Sequence, residues 1–354
     1  MIIYKDEAFG FYELFNEENG TLIRSDVNGI DPIMRSFPEL IDVGVMGHCD
    51  SGIYCKQAGV DCYQRGNSLH TPHMTVENFQ KLARQACGKT FQFALGGAGD
   101  PNHHPQFEEL LQISRRFRIV PNLTTSGFLM TDTHVQLMRQ YCGAVAVSWY
   151  SRLKGGQESN PETLRAVQRL VQGGCITNLH YVVSTDTIDE AIFRLQQDSF
   201  PCGIHAVIFI LYKPVGNGHM EKVLQKGDYR LQTFLSLATE KTHPYRIGFD
   251  TCFTPALLNQ TRVPSLCVDA CEAATFSMYI DSQMNCYPCS FGVGRIEISA
   301  SLNNQSLREI WNGEVFRQFR QRKKNTCIAC DHYQTCRDGC RLGLPIDLCS
   351  TAFQ

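Results

Sequence analysis

Three thiols close together offer the most definite chemistry in this chain. Cys49, Cys55 and Cys62 fall within 14 residues of the stretch GHCDSGIYCKQAGVDCYQRG. Three thiolates on a glycine-containing loop can bind three irons of a [4Fe-4S] cluster, leaving the fourth iron without a protein ligand and open to a substrate or cofactor. A zinc knuckle with His48 as fourth ligand is an equal reading of this loop alone, and free cysteine also packs well as a small buried hydrophobe. A second, larger group lies at the far end: residues 250–354 hold Cys252, Cys267, Cys271, Cys286, Cys289, Cys327, Cys330, Cys336, Cys340 and Cys349.

The total of 17 cysteines is odd, which argues against a fully paired disulfide framework. The N-terminus has no basic segment followed by an apolar run, and no window approaches the roughly 18 to 20 apolar residues of a membrane span. A cytoplasmic location is expected, where thiols stay reduced and bind metal more often than they cross-link. A net charge of −2 gives no basic surface for nucleic acid or an anionic membrane.

Between residues 40 and 215, apolar runs of strand length alternate with helical periodicity. The strands are expected at 42–46, 91–95, 119–123, 144–149, 178–183 and 206–211, with helices such as 105–117 and 188–197 between them. The spacing is that of a repeated parallel strand–helix unit, counted six times, so the fold class is α/β with an open, partial (β/α)6 barrel. Chemistry in such folds gathers at the C-terminal ends of the strands. There the three-cysteine loop follows the first strand, Gly96-Gly97-Ala98-Gly99-Asp100-Pro101 the second, and TTSG the third. Glycines there let a ligand approach bare backbone, although a glycine-rich strand–helix turn is often only a tight turn. Residues 1–39 form a hairpin-like extension, 40–245 the barrel, and 246–354 a cysteine-rich domain.

This order of motifs, with VAVSWYS at the fourth strand, resembles the radical S-adenosylmethionine (SAM) superfamily over about residues 40–215. The resemblance implies that Cys49, Cys55 and Cys62 bind a [4Fe-4S] cluster whose open iron takes SAM. It also implies that Gly96, Gly97, Ala98 and Gly99 line the amino end of SAM, and that Thr125 and Ser148 supply polar contacts. Two departures stand out. The cysteines are spaced five and six residues apart where the family has three and two, and Gly99-Asp100 replaces the family's glutamate.

The C-terminal array, Cys327-x2-Cys330-x5-Cys336-x3-Cys340 followed by Cys349, resembles the SPASM domain, which carries two auxiliary [4Fe-4S] clusters. That resemblance assigns Cys252, Cys271, Cys289 and Cys340 to one cluster and Cys327, Cys330, Cys336 and Cys349 to the other. Cys267 and Cys286 are surplus, and either can replace a member of the first set. Cys87, Cys142, Cys175 and Cys202 read as core residues.

The implied activity is reductive cleavage of SAM to a 5′-deoxyadenosyl radical that modifies a peptide or protein, with a reductant such as flavodoxin or ferredoxin as electron donor. Ser290 stands where sulfatase-maturing relatives commonly have aspartate, which favours modification of a ribosomally made peptide. A sulfatase-type protein or a small molecule is the alternative substrate; a non-catalytic zinc, iron–sulfur or electron-transfer protein is the alternative class. His103, His104 and Lys213 fall near the same face, each with a solvated or structural alternative, and Trp149 and Tyr150 read as core aromatics.

Overall fold

The computed structural model describes residues 1–18, 20–322, 327 and 330–349. The chain opens with β1 (Ile2–Asp6), β2 (Phe11–Phe15) and β3 (Leu22–Asp26), a small antiparallel sheet in chain order. The hairpin expected here is β2–β3, and β1 adds a third strand.

The barrel follows as β4 (Leu40–Met46), α1 (Gly52–Gln57), α2 (Val76–Ala86), β5 (Gln92–Gly97), α3 (Phe107–Arg116), β6 (Val120–Thr125), α4 (Asp132–Tyr141) and β7 (Val145–Ser148). A two-strand ribbon, β8 (Leu153–Lys154) and β9 (Gln157–Glu158), precedes α5 (Pro161–Gln172), β10 (Thr177–Val183), α6 (Ile188–Gln197), β11 (Ala206–Leu211), α7 (Tyr229–Glu240) and β12 (Arg246–Phe249). The C-terminal part contains α8 (Thr254–Gln260), β13 (Ser277–Ile280), β14 (Asn285–Tyr287), β15 (Ala300–Ser301), α9 (Leu307–Asn312), α10 (Glu314–Gln321) and α11 (Tyr333–Cys336).

One sheet runs through most of the molecule in the order β12-β11-β10-β7-β6-β5-β4-β13-β14-β15. The six expected barrel strands, β4, β5, β6, β7, β10 and β11, pair in parallel, giving the expected partial (β/α)6 barrel. Two further parallel strands extend it: β12 pairs with β11, and β13 pairs with β4. The expected division at residue 245 therefore falls just before a strand that continues the barrel sheet.

Strand and helix patterns explain the layering. In β10 buried residues alternate with more open ones, so Thr177, Leu179, Tyr181 and Val183 face the helices while Asn178, His180 and Val182 face inward. α2 buries Phe79, Leu82, Ala83 and Ala86, and α5 buries Thr163, Ala166, Val167 and Leu170. Both follow the stripe of a helix packed on a sheet. Thr75 caps α2, accepting the Asn78 amide at 3.2 Å, and Asn160 caps α5.

The N-terminal sheet is fastened to the barrel by a buried charge. Phe11, Glu13 and Phe15 lie on the inward face of β2, and Phe15 stacks on Phe91 with ring centroids 5.0 Å apart. The Arg35 guanidinium donates to Glu13 at 2.7 Å, both side chains being fully buried, and to the carbonyls of Phe37 and Lys89. Trp311 in α9 donates to the Arg35 carbonyl at 3.0 Å, so both ends of the chain meet here. Removing one partner of a buried pair leaves an uncompensated charge. Glu13→Ala is expected to destabilise the apo chain by about 3–5 kcal/mol in urea unfolding followed by circular dichroism, and the paired change Glu13→Met with Arg35→Met by much less.

Candidate active site

Cys49 lies on the turn leaving β4, Cys55 within α1, and Cys62 on the segment that follows. The sequence suggests one continuous loop; the structure interrupts it with a helical turn that carries the middle thiol. The three thiols lie within electrostatic reach of one another. Burial, and then the nearby Asp100 carboxyl, push the Cys49 thiol up to about 11 and Cys55 to about 12. A cation at this point would reverse that shift, because metal binding takes the thiolate and releases the proton.

Glycines let the two loops touch. The Cys49 amide donates to the Gly66 carbonyl at 2.9 Å, and the Ala98 amide to the Met46 carbonyl at 2.9 Å. A Cβ on Gly66 would stand 1.7 Å from the Ala98 carbonyl oxygen, one on Gly97 (φ +115°) 2.5 Å from the Met46 oxygen, and one on Gly99 2.7 Å from the His48 oxygen. Gly97 and Gly99 thus serve chiefly to bring the glycine loop against the cysteine loop. Gly96 differs: nothing lies within 4 Å of a Cβ there, so its face is open.

Asp100, at the end of the glycine loop, is used within the fold. Its carboxylate accepts from the Ser126 amide at 2.8 Å and the Ser126 hydroxyl at 2.5 Å, tying the end of β5 to the end of β6. Thr125 is 1% exposed, and its hydroxyl accepts the Gly127 amide at 3.1 Å. On β6 the more open positions are Asn122 and Thr124, so Thr124 is the threonine on the inner face. Ser148, at the end of β7, pairs in register with His180 on the inner face of β10. Tyr150 feels the charges of Cys55, Asp100 and Cys62, although burial is the main reason its phenol is held above its ordinary range. It therefore borders the thiol set, a role the sequence concealed because WY beside a strand reads as core.

The other singled-out side chains have structural partners. His104 donates to the Met74 carbonyl at 2.9 Å and accepts the Gln106 amide. His103 bridges the Phe128 carbonyl at 3.1 Å and the Ser51 hydroxyl at 3.2 Å. A polar clamp holds the Cys62 end: the Asn217 amide donates to the Cys62 carbonyl at 3.0 Å, while Asp61 accepts from Tyr212 at 2.9 Å and Lys222 at 2.7 Å.

The C-terminal thiols fall into two sets. Cys252, Cys271, Cys289 and Cys340 share one field, and Cys336 feels Cys327, Cys330 and Cys349. Burial raises Cys252 well above its ordinary value, Cys289 to about 12 and Cys336 to about 11. Cys286 is fully buried with its thiol directed to the Met284 carbonyl, and Cys267 is exposed. Lys213 is buried, with Nζ 2.5 Å from Asp250 and 4.7 Å from the Phe291 ring centroid, and it faces Cys252 and Cys289. Phe291 also packs against Tyr63 at 4.9 Å, and Tyr63 feels both Cys62 and Cys289, so this aromatic pair stands between the first thiol set and the second.

Among the described residues, no three His, Cys, Asp or Glu converge as ligands of a single metal ion do. The thiols nevertheless feel one another's charge in groups of three and four, the donor numbers of an open and a fully ligated [4Fe-4S] cluster. A partly buried cation beside the second set adds to the fit: Arg341 Nε and Nη1 are enclosed without a hydrogen-bond partner among the described residues, and the guanidinium favours the charged form of Cys271.

Comparison with known proteins agrees with this layout. Residues 271–337 match the SPASM family model, an iron-sulfur cluster-binding domain, which accounts for the C-terminal thiols inside that segment. No curated protein matches the chain in sequence. Among solved structures, Streptococcus suis SuiB bound to S-adenosylmethionine aligns with a TM-score of 0.69 and 16% identity, covering 96% of this chain and 95% of that chain. SuiB bound to its precursor peptide SuiA aligns with a TM-score of 0.65 and 16% identity, covering 87% of this chain and 72% of that chain. The protein anSMEcpe with bound AdoMet and the Kp18Cys peptide aligns with a TM-score of 0.63 and 16% identity, covering 86% and 89%. The chain therefore shares the fold of these solved structures, with a segment similar to the SPASM domain near its C-terminal end.

Gly66→Ala is expected to push the two loops apart and lower the iron bound at the first thiol set, whereas Gly96→Ala has room for its methyl and retains wild-type iron. Iron and sulfide content after anaerobic reconstitution distinguishes the two.

Proposed function

We propose that this chain is a radical SAM enzyme that modifies a peptide or protein, with ribosomal peptide maturation as its setting. The observation that carries this reading is the open three-thiol set at the mouth of a partial barrel whose sheet continues directly into a SPASM domain. The solved structures that share the fold include proteins bound both to SAM and to a peptide.

In this reading Cys49, Cys55 and Cys62 hold the cluster that binds SAM, and Gly96 offers an open backbone edge to the amino end of SAM. Held there, cluster and SAM supply reductive carbon–sulfur cleavage followed by hydrogen-atom abstraction from the substrate. Ser148 and Thr124 face the same space from β7 and β6, and Tyr150 and Tyr63 border it, so these side chains orient the ligands and exclude water. Cys252, Cys271, Cys289 and Cys340 hold one auxiliary cluster, and Cys327, Cys330, Cys336 and Cys349 the other. Full thiolate ligation suits both to electron transfer rather than to direct binding of substrate.

Asp42 is the carboxyl that the barrel interior offers for proton movement. It lies on the inner face of β4, in register with Ala94 of β5 and Tyr279 of β13, and burial raises it to about 7. Tyr279 stands beside it with its hydroxyl over Gly44. A carboxyl poised there can take or return a proton near neutral pH. A flavodoxin or ferredoxin is the expected electron donor, and the cytoplasm the expected setting; among the described residues no helix is long and apolar enough to cross a membrane.

The test is anaerobic incubation of the reconstituted chain with dithionite and SAM. The wild type is expected to release 5′-deoxyadenosine, and the Cys49→Ala, Cys55→Ala, Cys62→Ala triple variant to release none while keeping the iron of its auxiliary sets. Unchanged cleavage by the triple variant would refute the assignment.

A further inference from the structure

Four charged side chains lie within electrostatic reach of the set Cys252, Cys271, Cys289 and Cys340: Asp250, Lys213, Glu272 and Arg341. Three of them are already satisfied. Lys213 and Asp250 form a closed pair at 2.5 Å, and Lys213 also donates to the Leu211 carbonyl at 2.7 Å. Glu272 lies 3.5 Å from Arg24, which also holds Glu39 at 3.1 Å, Asp269 at 3.3 Å and Asp31 at 3.6 Å.

Arg341 is different. Its Nε and Nη1 are enclosed, and neither has a hydrogen-bond partner among the described residues. Two of its neighbours are themselves cations, because Arg320 and Arg337 both feel Arg341. Those two neighbours spend their own donors elsewhere: Arg320 on the carbonyls of Ala274 and Trp311, Arg337 on those of Ile33 and Gln334. Enclosing two guanidinium nitrogens without acceptors is costly unless an anion meets them. Arg341 follows Cys340 directly in the chain and reaches Cys271, so an anion on these four thiolates would meet it.

We propose that Arg341 sets the reduction potential of the iron–sulfur cluster held by Cys252, Cys271, Cys289 and Cys340, raising it by opposing the negative charge that the cluster gains with one electron. This rests on the ligand assignment made under the proposed function. Net charge and hydrogen bonds to sulfur are the levers by which a protein tunes such a cluster, and a guanidinium supplies both. Lys213 does not serve the same end, since Asp250, which also acts on Cys252, neutralises it. Arg341 is in this sense a positioning residue for charge, outside the reacting atoms.

The experiment is a dithionite potentiometric titration of the reconstituted full chain, followed by electron paramagnetic resonance. It is run on wild type, Arg341→Met, Arg341→Gln and Arg341→Lys, each also in the Cys49→Ala, Cys55→Ala, Cys62→Ala background so that only auxiliary signals remain. In the two neutral variants one auxiliary midpoint is expected to fall by at least tenfold in the reduction equilibrium, about 59 mV for a one-electron couple. Arg341→Lys is expected to stay near wild type, and the other auxiliary midpoint to be unmoved. An iron-replete neutral variant with a wild-type midpoint overturns the proposal. If both neutral variants lose one cluster, its return in Arg341→Lys supports the role of charge, and its loss there too overturns it. Absence of iron from this set in the wild-type chain instead overturns the ligand assignment on which the inference rests.

Discussion

The parallel ladder between β4 and β13 is the contact on which the rest of the architecture depends. It joins residues 40–43 to residues 277–280, more than two hundred positions apart in sequence, and so makes the barrel and the cysteine-rich domain one sheet. On its other side β4 pairs with β5, so a single strand lies between the glycine loop and the C-terminal domain. The Cys49 turn leaves the end of that strand, Tyr279 of β13 lies over its Gly44, and Gln64 reaches the Tyr279 hydroxyl at 3.4 Å. Thiols distant in sequence thus come to occupy one continuous body.

Charge, rather than apolar packing, then distinguishes the thiol sets from the core around them. Each set is partly enclosed, and burial raises the thiols for which a shift is resolved, so a metal cluster is the natural source of the missing positive charge. Several other buried cations are paired with carboxylates, as Lys213 is with Asp250 after β11 and β12, and Arg194 with Glu158 and Glu190. Against that background the enclosed Arg341 is conspicuous.

Much of this was legible in the sequence because parallel strands buried on both faces are written as apolar runs at regular intervals. All six barrel strands lie where the spacing places them, whereas the grouping of the C-terminal thiols came only from the resemblance to the SPASM domain. Short or pattern-poor elements were not legible: β12 is only four residues, Arg246–Phe249, and β13 gains its place from a ladder that no local signal encodes. The inner face of β6 illustrates a subtler limit. Thr124 and Thr125 are adjacent threonines, and the alternation of the pleat, which turns one inward and the other into its own turn, depends on a register that composition does not carry. The glycine loop shows the same ambiguity, since its glycines serve close backbone approach at Gly97 and Gly99 and openness at Gly96. Arg341 carries no sequence signal, because only the enclosure of its Nε and Nη1, without acceptors among the described residues, sets it apart.

The central claim is that one iron of the cluster on Cys49, Cys55 and Cys62 is bound by SAM rather than by the protein. Electron–nuclear double resonance on the reduced, reconstituted chain with SAM labelled by nitrogen-15 in its amino group and oxygen-17 in its carboxylate tests it directly. The account predicts hyperfine coupling from both labels to a single cluster signal. A chain with its full complement of iron and SAM bound, but with neither coupling, would contradict it.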